Sequence, residues 1–191
     1  MAGRQAKLLS ARDVARLRRH VRKGPDKVRN EAIVLLSIKA GLRAAEIAGL
    51  TWPMIMTPDG DLGSAIELLD RVAKKGGGRT IPLHPDLRKV LSKLMRGIDL
   101  KGPVICSRRG GAMRPHSIVR WFERRYRELK LAGCSSHSGR RTFITRAARK
   151  IHLVGGSLRD VQQLAGHRSI EHTQRYIEGD TLAKRRLVTL I

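Results

Sequence analysis

Aromatic residues make up only 3 % of the chain, and there are two cysteines, Cys106 and Cys134. Their separation matches no metal-ligand spacing, the histidines show no zinc-type pairing, and in a cytosol both thiols stand reduced. A disulfide scaffold and a structural zinc module are therefore not expected. Acidic residues are scarce as well: 16 Asp+Glu face 40 Lys+Arg, a formal charge of +24 at pH 7. No apolar run approaches the roughly 20 residues that cross a bilayer. The start, Met1-Ala2-Gly3-Arg4-Gln5-Ala6-Lys7, lacks the apolar core of a signal peptide. The expected setting is cytoplasmic and nucleoid-associated, with no membrane partner.

What is present points elsewhere. A length of 191 residues fits one domain, and 41 % hydrophobic residues suffice for a packed core. Basic residues recur in every stretch of fifty rather than in one terminal arm, so the folded surface itself is cationic. Such a surface suits a polyanion, nucleic acid first.

The pattern of elements is mostly helical. Ser10 and Asp13 make a capping arrangement ahead of Val14, Leu17 and Val21, and Gly24-Pro25 stops that run. Asp26 opens a second helix with a dense apolar centre, Ala32 to Leu36, ended by Gly41; Arg43 to Leu50 gives a short third. Ala65–Leu69 and Thr80–Leu83 read as a small antiparallel sheet with a basic, glycine-rich tip, Lys74 to Arg79. Pro85 starts a helix carrying Leu87, Val90, Leu91 and Leu94, and Val104-Ile105-Cys106 is a candidate third strand. Pro115 opens a longer helix with a stripe of Val119, Phe122, Tyr126 and Leu129. Helices over Ser138 to Ile151, Ser157 to Leu164, Ser169 to Ile177 and Leu182 to Leu190 complete the chain. The expected fold class is mainly α with a small antiparallel β-sheet (α+β).

Only a few residues suggest chemistry. Of the two tyrosines, Tyr126 lies on an apolar stripe and reads as core, whereas Tyr176 stands in a polar stretch, Glu171 to Ile177. Nine residues before Tyr176 is His167, in Leu164-Ala165-Gly166-His167, and upstream is His137-Ser138-Gly139-Arg140, whose His and Arg share a helix face. Gly41-Leu42-Arg43-Ala44-Ala45-Glu46-Ile47 puts Arg43 just past a helix stop, with Glu46 able to hold it. Each pattern alone is weak in so arginine-rich a chain.

In order, however, these segments resemble the tyrosine recombinase (phage integrase) family: Gly41-Leu42-Arg43 with Glu46-Ile47, Lys74 before Arg79-Thr80-Ile81-Pro82-Leu83, His137-x-x-Arg140, Leu164-x-Gly166-His167, then Tyr176. The resemblance runs from about Leu8 to about Leu190 and implies the fold of that family's catalytic domain. It implies that Tyr176 attacks a DNA phosphodiester, leaving a 3′-phosphotyrosyl link and a free 5′-hydroxyl, without metal, cofactor or ATP. Arg43 and Arg140 would grip the non-bridging oxygens, as a planar, permanently charged fork can. Lys74 would protonate the leaving oxygen, with Lys75 as the alternative. His137 would move the proton of the nucleophile, His167 would hydrogen-bond the phosphate, and Glu46 would brace the arginines. Lys75, Arg79, Arg120, Arg124 and Arg141 are candidate DNA contacts, though a solvated helix face explains those near Arg124 nearly as well. His172, one turn before Tyr176, could touch the site, but a role outside it is the default reading.

The resemblance departs at Arg141, where many relatives carry histidine, and in covering the catalytic domain alone. The expected organisation is a single catalytic domain over 1–191, with 1–7 flexible, no N-terminal core-binding domain, and residues 180–191 a helix exchanged between protomers. The implied partner is double-stranded DNA, bound by a homotetramer on paired sites that is a monomer or weak oligomer when free. An accessory protein or partner recombinase is allowed for. The expected activity is site-specific recombination (integration, excision or inversion). The alternatives are a type IB-like topoisomerase and a non-cleaving DNA-binding accessory or degenerate integrase.

Overall fold

A computed structural model of the chain describes residues 5–73, 77–97, 100–176 and 188–189. Its centre is helix α2 (Lys27–Lys39), buried continuously from Glu31 to Ile38. A helix apolar on all sides can be stable only with neighbours around it. Here α1 (Ala11–Val21), α3 (Ala44–Gly49), α4 (Pro85–Leu94) and α6 (Ser138–Lys150) all pack against it. α5 (Pro115–Glu128) covers α3, and α7 (Leu158–Ala165) and α8 (Ile170–Gln174) pack on each other beside α6. The sheet is one antiparallel pair, β1 (Ala65–Leu68) and β2 (Arg79–Pro82), in a register that sets Ile66 opposite Ile81 and Leu68 opposite Arg79.

Local signals explain the starts and stops. Ser10 and Asp13 form a reciprocal capping box on α1, as do Ser157 and Asp160 on α7. Gly41 takes φ of 66° after α2, and the Leu42 N–H then donates back to the Leu36 carbonyl at 3.0 Å. Asp26 precedes α2 without a side-chain cap; its carboxylate instead takes Arg29 and Arg108.

Two expectations are corrected. In α5 the buried stripe is Ile118, Phe122 and Tyr126, and Val119 is only half-buried, because the helix is rotated slightly from the assumed face. Val104-Ile105-Cys106 forms no strand; Cys106 makes a lone bridge to Ala112 around a turn. In the segment before α1, Lys7 N–H donates to the Gly133 carbonyl at 2.9 Å, and Arg141 donates to the Ala6 carbonyl at 2.6 Å. The terminal helix expected over 180–191 lies outside the described residues apart from 188–189.

The main core joins α1 to α5. A second, smaller cluster holds Ile144, Val161 and Ala165, with Phe143, Leu158 and Tyr176 packed against it. The boundary between the two is where the candidate residues meet.

Candidate active site

Three chain reversals bring the site together. The first follows α2, where Gly41 turns the chain and Arg43 caps α3. Glu46, one turn into α3, reaches back: its Oε2 accepts the Arg43 backbone N–H at 2.9 Å, and its Oε1 accepts the Arg43 guanidinium at 2.6 Å. Arg79, at the start of β2, approaches the same carboxylate with bonds of 3.2 and 3.0 Å. The carboxylate is 1 % exposed and so is shared between two arginines out of solvent. Burial alone would raise the pKa of Glu46, but Arg79, and then Arg43, outweigh it and hold the group below the usual carboxylate range.

The second reversal leads into α6. His137 is its N-cap and Arg140 lies one turn on, 4 % exposed. Arg140 donates to the Gly41 carbonyl at 2.6 Å and to the Ala165 carbonyl at 2.5 Å, so one fork ties α6 to both other reversals. Burial, reinforced by Arg43, pushes its pKa down to about 9, which leaves it charged at neutral pH.

The third reversal ends α7. Gly166 turns left-handed with φ of 61°, and the last carbonyls of the helix, which have no partner within it, are taken by arginines. Arg79 Nε donates to Leu164 at 2.9 Å, and Arg140 to Ala165. A Cβ on Gly166 would stand 2.8 Å from the Arg79 guanidinium. His167 follows, and its ring stacks on that of Tyr176, with centroids 5.6 Å apart and planes 21° apart. Burial, then Arg140 and Arg43, push the pKa of His167 down to about 4. The covered part of His137, with Arg140 and Arg43 beside it, lowers that group in the same way. Both imidazoles are neutral at pH 7 on this account.

These groups open onto one cleft of about 360 Å³. Arg43, His137, Arg140, Arg141, His167, His172, Arg175 and Tyr176 line it, together with Gln5 and Ala6 from the N-terminal segment. Among the described residues no carboxylate lines it, and Glu46 sits behind Arg43. The cleft can therefore hold an anion of phosphate size against two guanidinium groups, with a phenol and two neutral imidazoles beside it.

Arg43, His137, Arg140, His167 and Tyr176 are thus brought together, and His172 and Arg141 join them. Lys74 and Lys75 lie outside the described residues. Arg79 is corrected: its side chain is 6 % exposed and its donors are engaged on Glu46, Leu164 and Gly77, so it is an internal strut. Arg120 and Arg124 lie on the exposed face of α5, away from the cleft lining, with Arg124 paired to Glu128 at 3.0 Å. Sequence reasoning missed Thr173, which is 0 % exposed and meets His167. Its position three residues before Tyr176, about one helical turn, was the available signal.

Comparison with known proteins speaks to the family and the fold. Residues 7–182 match the model of the phage integrase family. A tyrosine recombinase XerC of Mesorhizobium japonicum is 33 % identical over 161 residues, which cover 80 % of this chain and 47 % of that protein. The chain spans about half the length of the curated relatives it matches. The Tn1549 transposon integrase, solved in complex with a circular intermediate DNA, superposes with a TM-score of 0.77 at 17 % identity, covering 98 % of this chain and 66 % of that one. The XerA recombinase gives a TM-score of 0.73 at 22 % identity, covering 100 % and 65 %. At these identities the two structures speak for a shared fold.

Proposed function

The chain belongs to the phage integrase family, and from that premise we propose that it is the catalytic part of a site-specific DNA recombinase that cuts and rejoins strands through Tyr176. The observation that carries this reading is the cleft where Arg43, Arg140, His137, His167 and Tyr176 converge. DNA as the substrate is supported by the cationic surface, and by the Tn1549 integrase, which shares this fold and is solved on DNA.

In this mechanism the Tyr176 phenolic oxygen attacks the phosphorus and passes its proton to His137. The bond from phosphorus to the 5′-oxygen breaks, and Lys74, or Lys75, gives the departing oxygen a proton. The 3′-phosphotyrosyl link conserves the energy of the broken bond, so the reverse attack by a 5′-hydroxyl reseals a strand without ATP. Charge grows on the non-bridging oxygens in the transition state, and the preset Arg43 and Arg140 meet it there; removing one such donor costs about 100- to 1,000-fold. His137 is suited to accept a proton because burial, with Arg140 and Arg43 beside it, keeps it neutral. A tetramer on paired sites, with a terminal segment exchanged between protomers, belongs to the same proposal. So do a cytoplasmic setting and an outcome of integration, excision or inversion.

Adduct formation tests the reading without knowledge of the natural site. A pool of nicked duplexes with randomised arms, 5′-labelled on the cut strand, loses a short 5′-hydroxyl fragment on cleavage and traps the covalent product. Label resistant to denaturation is expected on the wild-type protein and absent from Tyr176→Phe. An equal yield from both proteins would overturn the assignment. Relaxation of supercoiled plasmid at unrelated sequences would move it to a topoisomerase.

A further inference from the structure

His167 can hydrogen-bond a phosphate oxygen only through a ring N–H, and a neutral imidazole has one N–H and one bare nitrogen. Which nitrogen carries the proton is set by the partner of the other. In this fold that partner is buried and specific. The Nδ1 atom of His167 lies 2.9 Å from the Thr173 hydroxyl, and Thr173 is 0 % exposed in the last turn of α8. The His167 backbone is fixed at both ends by one residue: its N–H donates to the Gln162 carbonyl at 3.1 Å, and its carbonyl accepts from the Gln162 side chain at 3.0 Å. The ring stacks on that of Tyr176, and a flip of its plane would carry Nδ1 away from the Thr173 hydroxyl.

We propose that Thr173 is a positioning residue, whose hydroxyl donates to His167 Nδ1 and so holds the imidazole with its Nε2–H directed at the scissile phosphate. This rests on the reading of the cleft as a phosphotransfer site. The opposite arrangement, Nδ1–H donating to Thr173, would turn a bare Nε2 lone pair toward an anionic oxygen, a repulsive contact. A hydroxyl can donate or accept, so the phosphate selects the donating state by a rotation of one hydrogen, with no heavy atom moved. The tautomer matters because the ring is neutral: an imidazolium would donate from both nitrogens and make Thr173 irrelevant. Burial, with the Arg140, Arg43 and Arg79 guanidinium groups around it, keeps it neutral. Thr173 has a second hold on the chemistry, since its carbonyl accepts the Tyr176 N–H at 3.0 Å. One residue thereby fixes the nucleophile by its backbone and the phosphate donor by its side chain. Partners that orient a metal-bound histidine change activity about 10- to 100-fold when removed, and a loss of that order is expected here.

The test uses Thr173→Val, which keeps the shape and loses the hydroxyl, and Thr173→Ser, which keeps the hydroxyl. Single-turnover cleavage of a trapping substrate selected with the wild-type protein should fall about 10- to 100-fold in Thr173→Val and recover to within a few-fold in Thr173→Ser. DNA affinity and far-ultraviolet circular dichroism should be unchanged in both. In parallel, 15N spectra of histidine-labelled Tyr176→Phe on the same DNA should show His167 Nδ1 without a proton and Nε2 with one; this measurement needs no Thr173 variant to fold. Cleavage by Thr173→Val at the wild-type rate, or a protonated Nδ1 in the DNA complex, overturns the proposal while leaving the recombinase reading intact. So does a Thr173→Ser variant as slow as Thr173→Val. Absence of any adduct from the wild type overturns both.

Discussion

Replacing Glu46 by Gln keeps the shape of the residue that organises the site and removes its charge. The carboxylate is 1 % exposed and receives two arginines, Arg79 at 6 % side-chain exposure and Arg43 at 26 %. Removing one partner of a buried ion pair costs about 3–5 kcal/mol. Because Arg43 keeps contact with water, the lower end, about 3 kcal/mol, is the expected loss for Glu46→Gln. For a chain of this length each kcal/mol moves Tm by about 2–4 °C, so a drop of about 6–12 °C follows. The pH dependence gives the sharper signature. Arg79 and Arg43 depress the folded pKa of Glu46 despite its burial. The stabilisation is therefore complete above the unfolded carboxyl pKa of about 4.3 and is lost as pH falls through the lower folded value. Denaturant melts of wild type and Glu46→Gln from neutral to acid pH should show a gap that is widest near neutrality and closes in acid. Cleavage should fall as well, because Arg43 loses its brace. A gap under about 1 kcal/mol, or one independent of pH, would refute the account of Glu46 as a buried, charged brace.

Arg140→Lys keeps the charge but cannot serve the Gly41 and Ala165 carbonyls together; cleavage should fall at least about 100-fold in single-turnover assays, with DNA binding reduced far less. Gly166→Ala must adopt φ of 61° and press on Arg79, so thermal melts should show a loss of about 1–2 kcal/mol for the backbone alone, with slower cleavage from a displaced His167. If His167 and His137 are both held neutral, the cleavage rate should show no titration at the ordinary histidine pKa of about 6.5 as pH is lowered from neutrality. The excess of 40 Lys+Arg over 16 Asp+Glu predicts DNA binding that weakens steeply with salt, linear in a log–log plot; a flat response would contradict a backbone-tracking surface.

Much of the framework was legible because it rests on local chemistry. The Ser10–Asp13 and Ser157–Asp160 caps, the glycine stops at Gly41 and Gly166, and the burial of α2 all follow from neighbours within a few residues. The clustering of Arg43, Arg140, His167 and Tyr176 came from motif order, since no local rule brings residues of separate helices to one cleft. What escaped depends on long-range contacts. Arg79 looks like any basic hairpin residue until Leu164, 85 residues away, turns its carbonyl toward it. The segment before α1 looks free until Leu9 N–H meets the Thr142 hydroxyl at 2.9 Å and Arg141 and Arg146 take the carbonyls of Ala6 and Leu9. Val119 and Ile118 are adjacent and both apolar, so which of them faces α3 is decided by helix rotation and not by pattern.

The most direct test of the central claim is the identity of the residue that carries DNA after cleavage. Trapped adduct from the randomised nicked pool can be digested with protease and nuclease and the modified peptide read by mass spectrometry. The account predicts a single phosphotyrosine at Tyr176, bearing the 3′ end of the cut strand. A nucleotide on the buried Tyr126, on a serine, or on no residue of a protein that nevertheless cuts DNA would contradict it.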